Sequence, residues 1–174
     1  MKRMAVALAG IALASGTAMA QESDENRAVT IGPWQVEASY RAEGKFDRCV
    51  MSRTTEDGVE TRITRDESGL SLTMMSPRWK LDKGKTYPVE FITGSKGWKT
   101  DVTATRSTVR VDLSDADFND RLRKADTLEV RAEGSTITVP LDKSAAAMSR
   151  LESCYETNSK AVETNPFVKP KATP

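Results

Sequence analysis

The sequence predicts an all-β fold, mainly antiparallel, in one domain: a sandwich or barrel of about eight to nine strands with a short connecting helix and a C-terminal helix. Apolar residues recur at every second position through most of residues 30–141, and clusters of turn-forming residues separate the alternating runs. Only two stretches switch to a helical period.

The first alternating set is Trp34, Val36, Ala38 and Tyr40, followed by a strand around Cys49 and then by Val59, Thr61 and Ile63. Leu70, Leu72 and Met74 repeat the pattern, as do Tyr87, Val89 and Phe91, and then Trp98, Thr100, Val102 and Ala104. Val109, Val111 and Leu113 follow, then Leu128, Val130 and Ala132, and finally Ile137, Val139 and Leu141. Residues two apart point to the same side of a strand, so each set describes one buried and one wet face. Between the sets, Asp57-Gly58, Glu67-Ser68-Gly69, Asp82-Lys83-Gly84, Gly94-Ser95-Lys96-Gly97 and Glu133-Gly134-Ser135 supply residues that turn at low steric cost.

Ser114-Asp115-Ala116-Asp117 has the form of a capping box, and Phe118, Leu122 and Ala125 recur behind it at near-helical spacing. A short helix is expected to join two strands here. After Asp142-Lys143-Ser144, the stripe Ala147, Met148, Leu151, Cys154 and Tyr155 predicts a second helix with Cys154 on its apolar face.

Residues 1–20 have a composition of their own. Lys2 and Arg3 precede an apolar run from Met4 to Ala14, and Ala18-Met19-Ala20 stands before the polar Gln21-Glu22-Ser23-Asp24-Glu25. A basic start, a short apolar stretch and an A-x-A site describe a secretory signal peptide cleaved after Ala20. The product is then expected in the periplasm or outside the cell. Cleavage removes two basic residues and turns the net charge from +1 to −1. Residues 21–29 and 158–174 are polar and read as flexible segments around a globular domain at 30–157. No later stretch offers the ~20 apolar residues of a membrane span.

The chain has 26 Lys+Arg, 25 Asp+Glu, two cysteines and no histidine. Without histidine there is no Ser-His-Asp or Cys-His catalytic unit and no imidazole metal site. Mixed charges near neutrality argue against nucleic acid as a partner. In an oxidising compartment Cys49 and Cys154 are expected to pair, since a reactive redox pair takes the form Cys-x-x-Cys.

Three motifs invite chemistry. Gly94-Ser95-Lys96-Gly97-Trp98-Lys99-Thr100 ends like a phosphate-binding loop, but its spacing is wrong and it lies between two strands, which makes it a hairpin turn. Asp115-Ala116-Asp117-Phe118-Asn119 matches the start of a calcium loop, yet Asp120 stands where glycine is required, and helix capping explains the acids. No metal or other cofactor is expected. Arg78-Trp79-Lys80 and Lys96-Gly97-Trp98-Lys99 set an aromatic among cations, a pattern suited to stacking on a sugar, peptide or base. Strand alternation accounts for both more simply, with each Trp inward and its basic neighbours in solvent. A Trp that stays exposed would mark a binding edge, so Arg78, Trp79, Lys80, Lys96, Trp98 and Lys99 form the candidate interaction surface.

The segment from Trp34 through Cys49, the turn Pro77-Arg78-Trp79-Lys80-Leu81-Asp82-Lys83-Gly84, and Val139-Pro140-Leu141 followed by Ser144, Ala147, Met148 and Leu151 resemble the invasion-associated locus B family of small exported proteins of Gram-negative bacteria. The likeness covers most of the chain after residue 20. The cysteines depart from it, since the family carries several, including a pair in mid-domain. The resemblance implies a β-rich periplasmic domain with a non-enzymatic role in the envelope or in host interaction, and it brings no catalytic residues. The expected function is therefore an exported binding protein whose partner is a protein or envelope component. An inhibitor or immunity protein is the alternative, and a hydrolase using a carboxylate pair or a Ser-Lys site is a second.

Overall fold

Alternating side chains become strands that must find neighbours for their backbone groups, and here they find them in one antiparallel sheet. The computed structural model describes residues 28–163. The expected signal peptide, most of the segment 21–29 and residues 164–174 lie outside the described residues. Among the described residues the strands are β1 (Val29–Ile31), β2 (Trp34–Tyr40), β3 (Phe46–Thr54), β4 (Glu60–Asp66), β5 (Gly69–Met75), β6 (Thr86–Thr93), β7 (Lys96–Ala104), β8 (Thr108–Asp112), β9 (Thr127–Ala132) and β10 (Ser135–Pro140). Helix α1 (Ala116–Lys124) joins β8 to β9, and α2 (Ser144–Glu163) follows β10.

Ten strands exceed the expected eight to nine, because β1 begins at Val29, inside the segment read as flexible. At the other end α2 runs past Thr157 to Glu163.

The order across the sheet is β1-β2-β3-β4-β5-β8-β7-β6-β9-β10. The β6–β7–β8 meander returns to lie beside β5, a Greek-key arrangement that leaves β6 free to pair with β9. β6 and β7 pair from Thr86↔Thr103 to Thr93↔Lys96, whereas β7 and β8 share only Thr103↔Arg110 and Ala104↔Val109. At this seam the sheet folds over, and its two halves face one core as in a sandwich. It is not a closed barrel, since the edge strands β1 and β10 pair with β2 and β9 and not with each other.

Inward rows meet the register. Trp34, Val36, Cys49, Met51, Ile63, Leu72 and Val111 come from neighbouring strands and are all buried. Burying each large apolar side chain contributes about 1.5–3 kcal/mol. The β6–β7 turn is the two-residue Gly94-Ser95, and Gly94 takes φ +62°, which glycine adopts without a Cβ clash.

Helix α1 starts one residue later than the capping-box pattern indicates. Asp115 is the N-cap, and its carboxylate accepts from the Phe118 amide at 2.7 Å. Phe118 then packs on Trp98 and Phe91, with ring centroids 4.8 and 6.0 Å away.

Helix α2 lies on the inner face of β2, β3 and β4. Ala147, Met148 and Leu151 are essentially inaccessible, and Cys154 forms a disulfide with Cys49 of β3, the two Cα atoms 6.2 Å apart. Three polar ties accompany it. The Trp34 indole donates to the Asp142 carbonyl at 3.0 Å, Arg53 donates to the Pro140 carbonyl and to Asp142 Oδ1, and the Tyr40 hydroxyl donates to Asn158 Oδ1 at 2.7 Å.

Candidate functional site

The core is closed where the helices sit and incomplete at the opposite end of β6, β9 and β10. There the inward positions of six strands surround a partly enclosed apolar cavity of about 310 Å³. Met74 of β5, Val89 of β6, Val102 of β7 and Val130 of β9 are buried in its walls. Trp79, Leu81, Tyr87, Val109 and Ile137 also line it but remain half-buried. Four of these five, Trp79, Tyr87, Val109 and Ile137, pack against the core from outside it, and here they do so side by side. Together these half-buried side chains leave an apolar opening at the surface.

The loop between β5 and β6, residues 76–85, covers part of the opening. It is pinned to the sheet: Leu81 N donates to the Arg106 carbonyl at 2.8 Å, Gly84 N to Ala104 O at 2.8 Å, and Ala104 N to Lys85 O at 2.9 Å. Arg78 and Lys80 on either side of Trp79 are exposed. The Lys85 ammonium lies 5.1 Å from the Tyr87 ring centroid and 3.6 Å from Asp82. The Tyr87 hydroxyl accepts weakly from the Asp82 amide at 3.3 Å.

The six residues of the candidate surface are not brought together. Arg78, Trp79 and Lys80 stand at the cavity, whereas Lys96, Trp98 and Lys99 lie at the start of β7, with Trp98 four residues and about 13 Å of strand from Val102 in the cavity wall. The ring of Trp98 stacks on Phe91 at 5.6 Å and packs under Phe118, while Lys96 and Lys99 face solvent. Neither tryptophan is fully exposed. Trp79 is the one with an open space before it.

Sequence alone misses most of the wall. Tyr87, Val102, Val109, Val130 and Ile137 read as ordinary inward positions, and only the strand order makes them converge.

Two carboxylates depart from their ordinary range, and both do so in turns. The Thr55 hydroxyl holds Asp57 low by hydrogen bonding, helped by the nearby Arg78. For Asp66 partial burial pushes the pKa up, but bonds from the Ser68 hydroxyl and amide, with Arg110 nearby, leave it lowered. Turn chemistry accounts for both. The acidic cluster at residues 115–117 is engaged as the start of α1, and among the described residues no group of three or more potential ligands is placed to hold a metal. No helix of the described residues is long and apolar enough to cross a membrane.

No protein-family model matches the chain, and no curated protein matches it. Among solved structures it is similar to the crystal structure of invasion associated protein B from Bartonella henselae, with 19% identity, a TM-score of 0.58, and 75% of this chain and 98% of that chain covered. At that identity the likeness is one of fold: the architecture is shared, and function must be argued from the site.

Proposed function

We propose that this chain is an exported binding protein of the bacterial cell envelope, which acts by contact through the cavity mouth beside Trp79 and carries no catalytic site. The observation that supports this most directly is the convergence of Trp79, Leu81, Tyr87, Val109 and Ile137 on one opening, with Arg78 and Lys80 at its rim. Aromatic and arginine side chains at a partly desolvated pocket are the common anchors of binding sites. The leader-like residues 1–20 and the paired cysteines support export. The fold likeness to an invasion-associated protein supports a role where the bacterium meets its host.

The test is recovery of a partner from envelope extracts on the oxidised protein. The wild type should retain a defined component, and Trp79→Ala should lose it, whereas Trp98→Phe should not. Equal recovery by Trp79→Ala would remove the cavity mouth from the interaction. Mass spectrometry of the exported protein should find Gln21 at its N-terminus.

A second reading, inhibition of an enzyme, draws on the pinned backbone of residues 76–85, since inhibitory loops are rigid. It is less favoured because Trp79 turns toward the cavity instead of projecting. Recovery of a single hydrolytic enzyme would reverse that order.

A further inference from the structure

We infer that the cavity is a binding site for a single-chain fatty acid, its alkyl chain between the sheet halves and its carboxylate at the basic rim. This deepens the reading above, because both use the same mouth.

The walls are aliphatic and aromatic except for Ser135, at the exposed start of β10. Val102, Val109, Val130 and Ile137 present only carbon, and the Tyr87 hydroxyl is turned to the Asp82 amide. A polar ligand placed there would lose its water and meet few partners beyond the Ser135 hydroxyl, at about 1–3 kcal/mol for each buried group left unpaired. An alkyl chain gains instead, at about 0.8 kcal/mol for each buried methylene. The volume, about 310 Å³, is at the lower end of the ~300–1,000 Å³ range of small-molecule sites, which suits one chain and not two.

Charge at the rim selects the head group. The covering loop carries Arg78, Lys80, Lys83 and Lys85 against one acid, Asp82, and Arg106 is hydrogen-bonded to it through its carbonyl. Lys85 stands over the ring of Tyr87, a wall residue, so a cation is already positioned at the opening. Glu133, beyond the far wall, and Asp57, near Arg78, offset part of this excess without removing it. An anionic head is favoured there over a neutral or cationic one.

The experiment titrates dodecanoate, below its micellar range, into the oxidised full-length protein, read by calorimetry and tryptophan fluorescence. Saturable binding of one equivalent is expected. Ala132→Trp, at an exposed position on the cavity's edge, should weaken it at least tenfold by filling the slot, with an unchanged circular dichroism spectrum showing that the fold is intact. Lys85→Glu should weaken dodecanoate several-fold while leaving dodecanol unaffected. Absence of saturable binding, binding undiminished by Ala132→Trp, or equal affinity for dodecyltrimethylammonium would each overturn the inference. Partner recovery from extracts that survives such a failure would leave the contact reading standing.

Discussion

Reducing the Cys49–Cys154 disulfide should destabilise the domain by an amount set by the loop it closes. The cysteines are 105 positions apart. Chain entropy for a loop of that length corresponds to about 4.8 kcal/mol at 25 °C. Typical domains have a total stability of about 5–15 kcal/mol, so the bond supplies a large share. The loss should also be global. Ala147, Met148 and Leu151 of α2 are inserted among Val36, Met51 and the rest of the core, so freeing the helix exposes the interior. Urea unfolding of oxidised and reduced protein, followed by far-UV circular dichroism, measures the difference. With a slope of about 2 kcal/mol per molar, the midpoint should fall by roughly 2 M in one cooperative transition. A midpoint unchanged in protein shown by mass to carry free thiols would refute the entropic argument. Two separated transitions would refute the claim that α2 is integral to the core.

Backbone strain gives a second prediction. Gly32 (φ +57°) and Lys143 (φ +61°) stand against each other, and a Cβ on Gly32 would come within 2.9 Å of Lys143 Cγ. Lys143→Gly should therefore stabilise by about 0.5–1 kcal/mol and Gly32→Ala should cost about 1–2 kcal/mol, both measured by denaturant titration. Arg53→Met keeps the apolar stem over Trp34 but removes the bonds to the Pro140 carbonyl and Asp142; a loss of about 2–3 kcal/mol is expected, and a neutral result would place no weight on that junction. Asp57 and Asp66 have folded pKa values below the ordinary carboxylate value of an unfolded chain, so the stability they add is complete above that ordinary value and is lost as pH falls through the folded values. Thermal midpoints should decline below about pH 4, and the decline should be shallower in an Asp57→Asn, Asp66→Asn variant.

Most of the strands are legible in the sequence because one face of each is buried and the period of two survives. β3 is harder to see. Cys49, Val50 and Met51 make a continuous apolar run, Arg53 takes the next inward position, and a register shift at Asp47 breaks the alternation on the other side. β1 is too short to show any period at all. The end of α2 is obscured by polar composition: Asn158 looks like tail, yet its side chain bonds Tyr40 and the Cys154 carbonyl. The candidate site is legible only in part. Arg78-Trp79-Lys80 and Gly97-Trp98-Lys99 look alike in one dimension, but Trp98 sits on a strand under α1 while Trp79 sits in the loop that crosses from β5 to β6. The cavity exists because β8 and not β6 pairs with β5, a long-range choice that no local pattern records.

The placement of α2 has a consequence for the order of events in the life of the chain. The inner face of β2 and β3, with Trp34, Val36, Cys49 and Met51, is covered by residues that lie about a hundred positions downstream. Synthesis delivers those residues after all ten strands of the sheet. Until they arrive the early strands have no lid and present a sticky surface to chaperones or to one another. The C-terminal helix therefore serves as a completion signal: the domain closes only when nearly all of it has emerged, and formation of the disulfide records that moment.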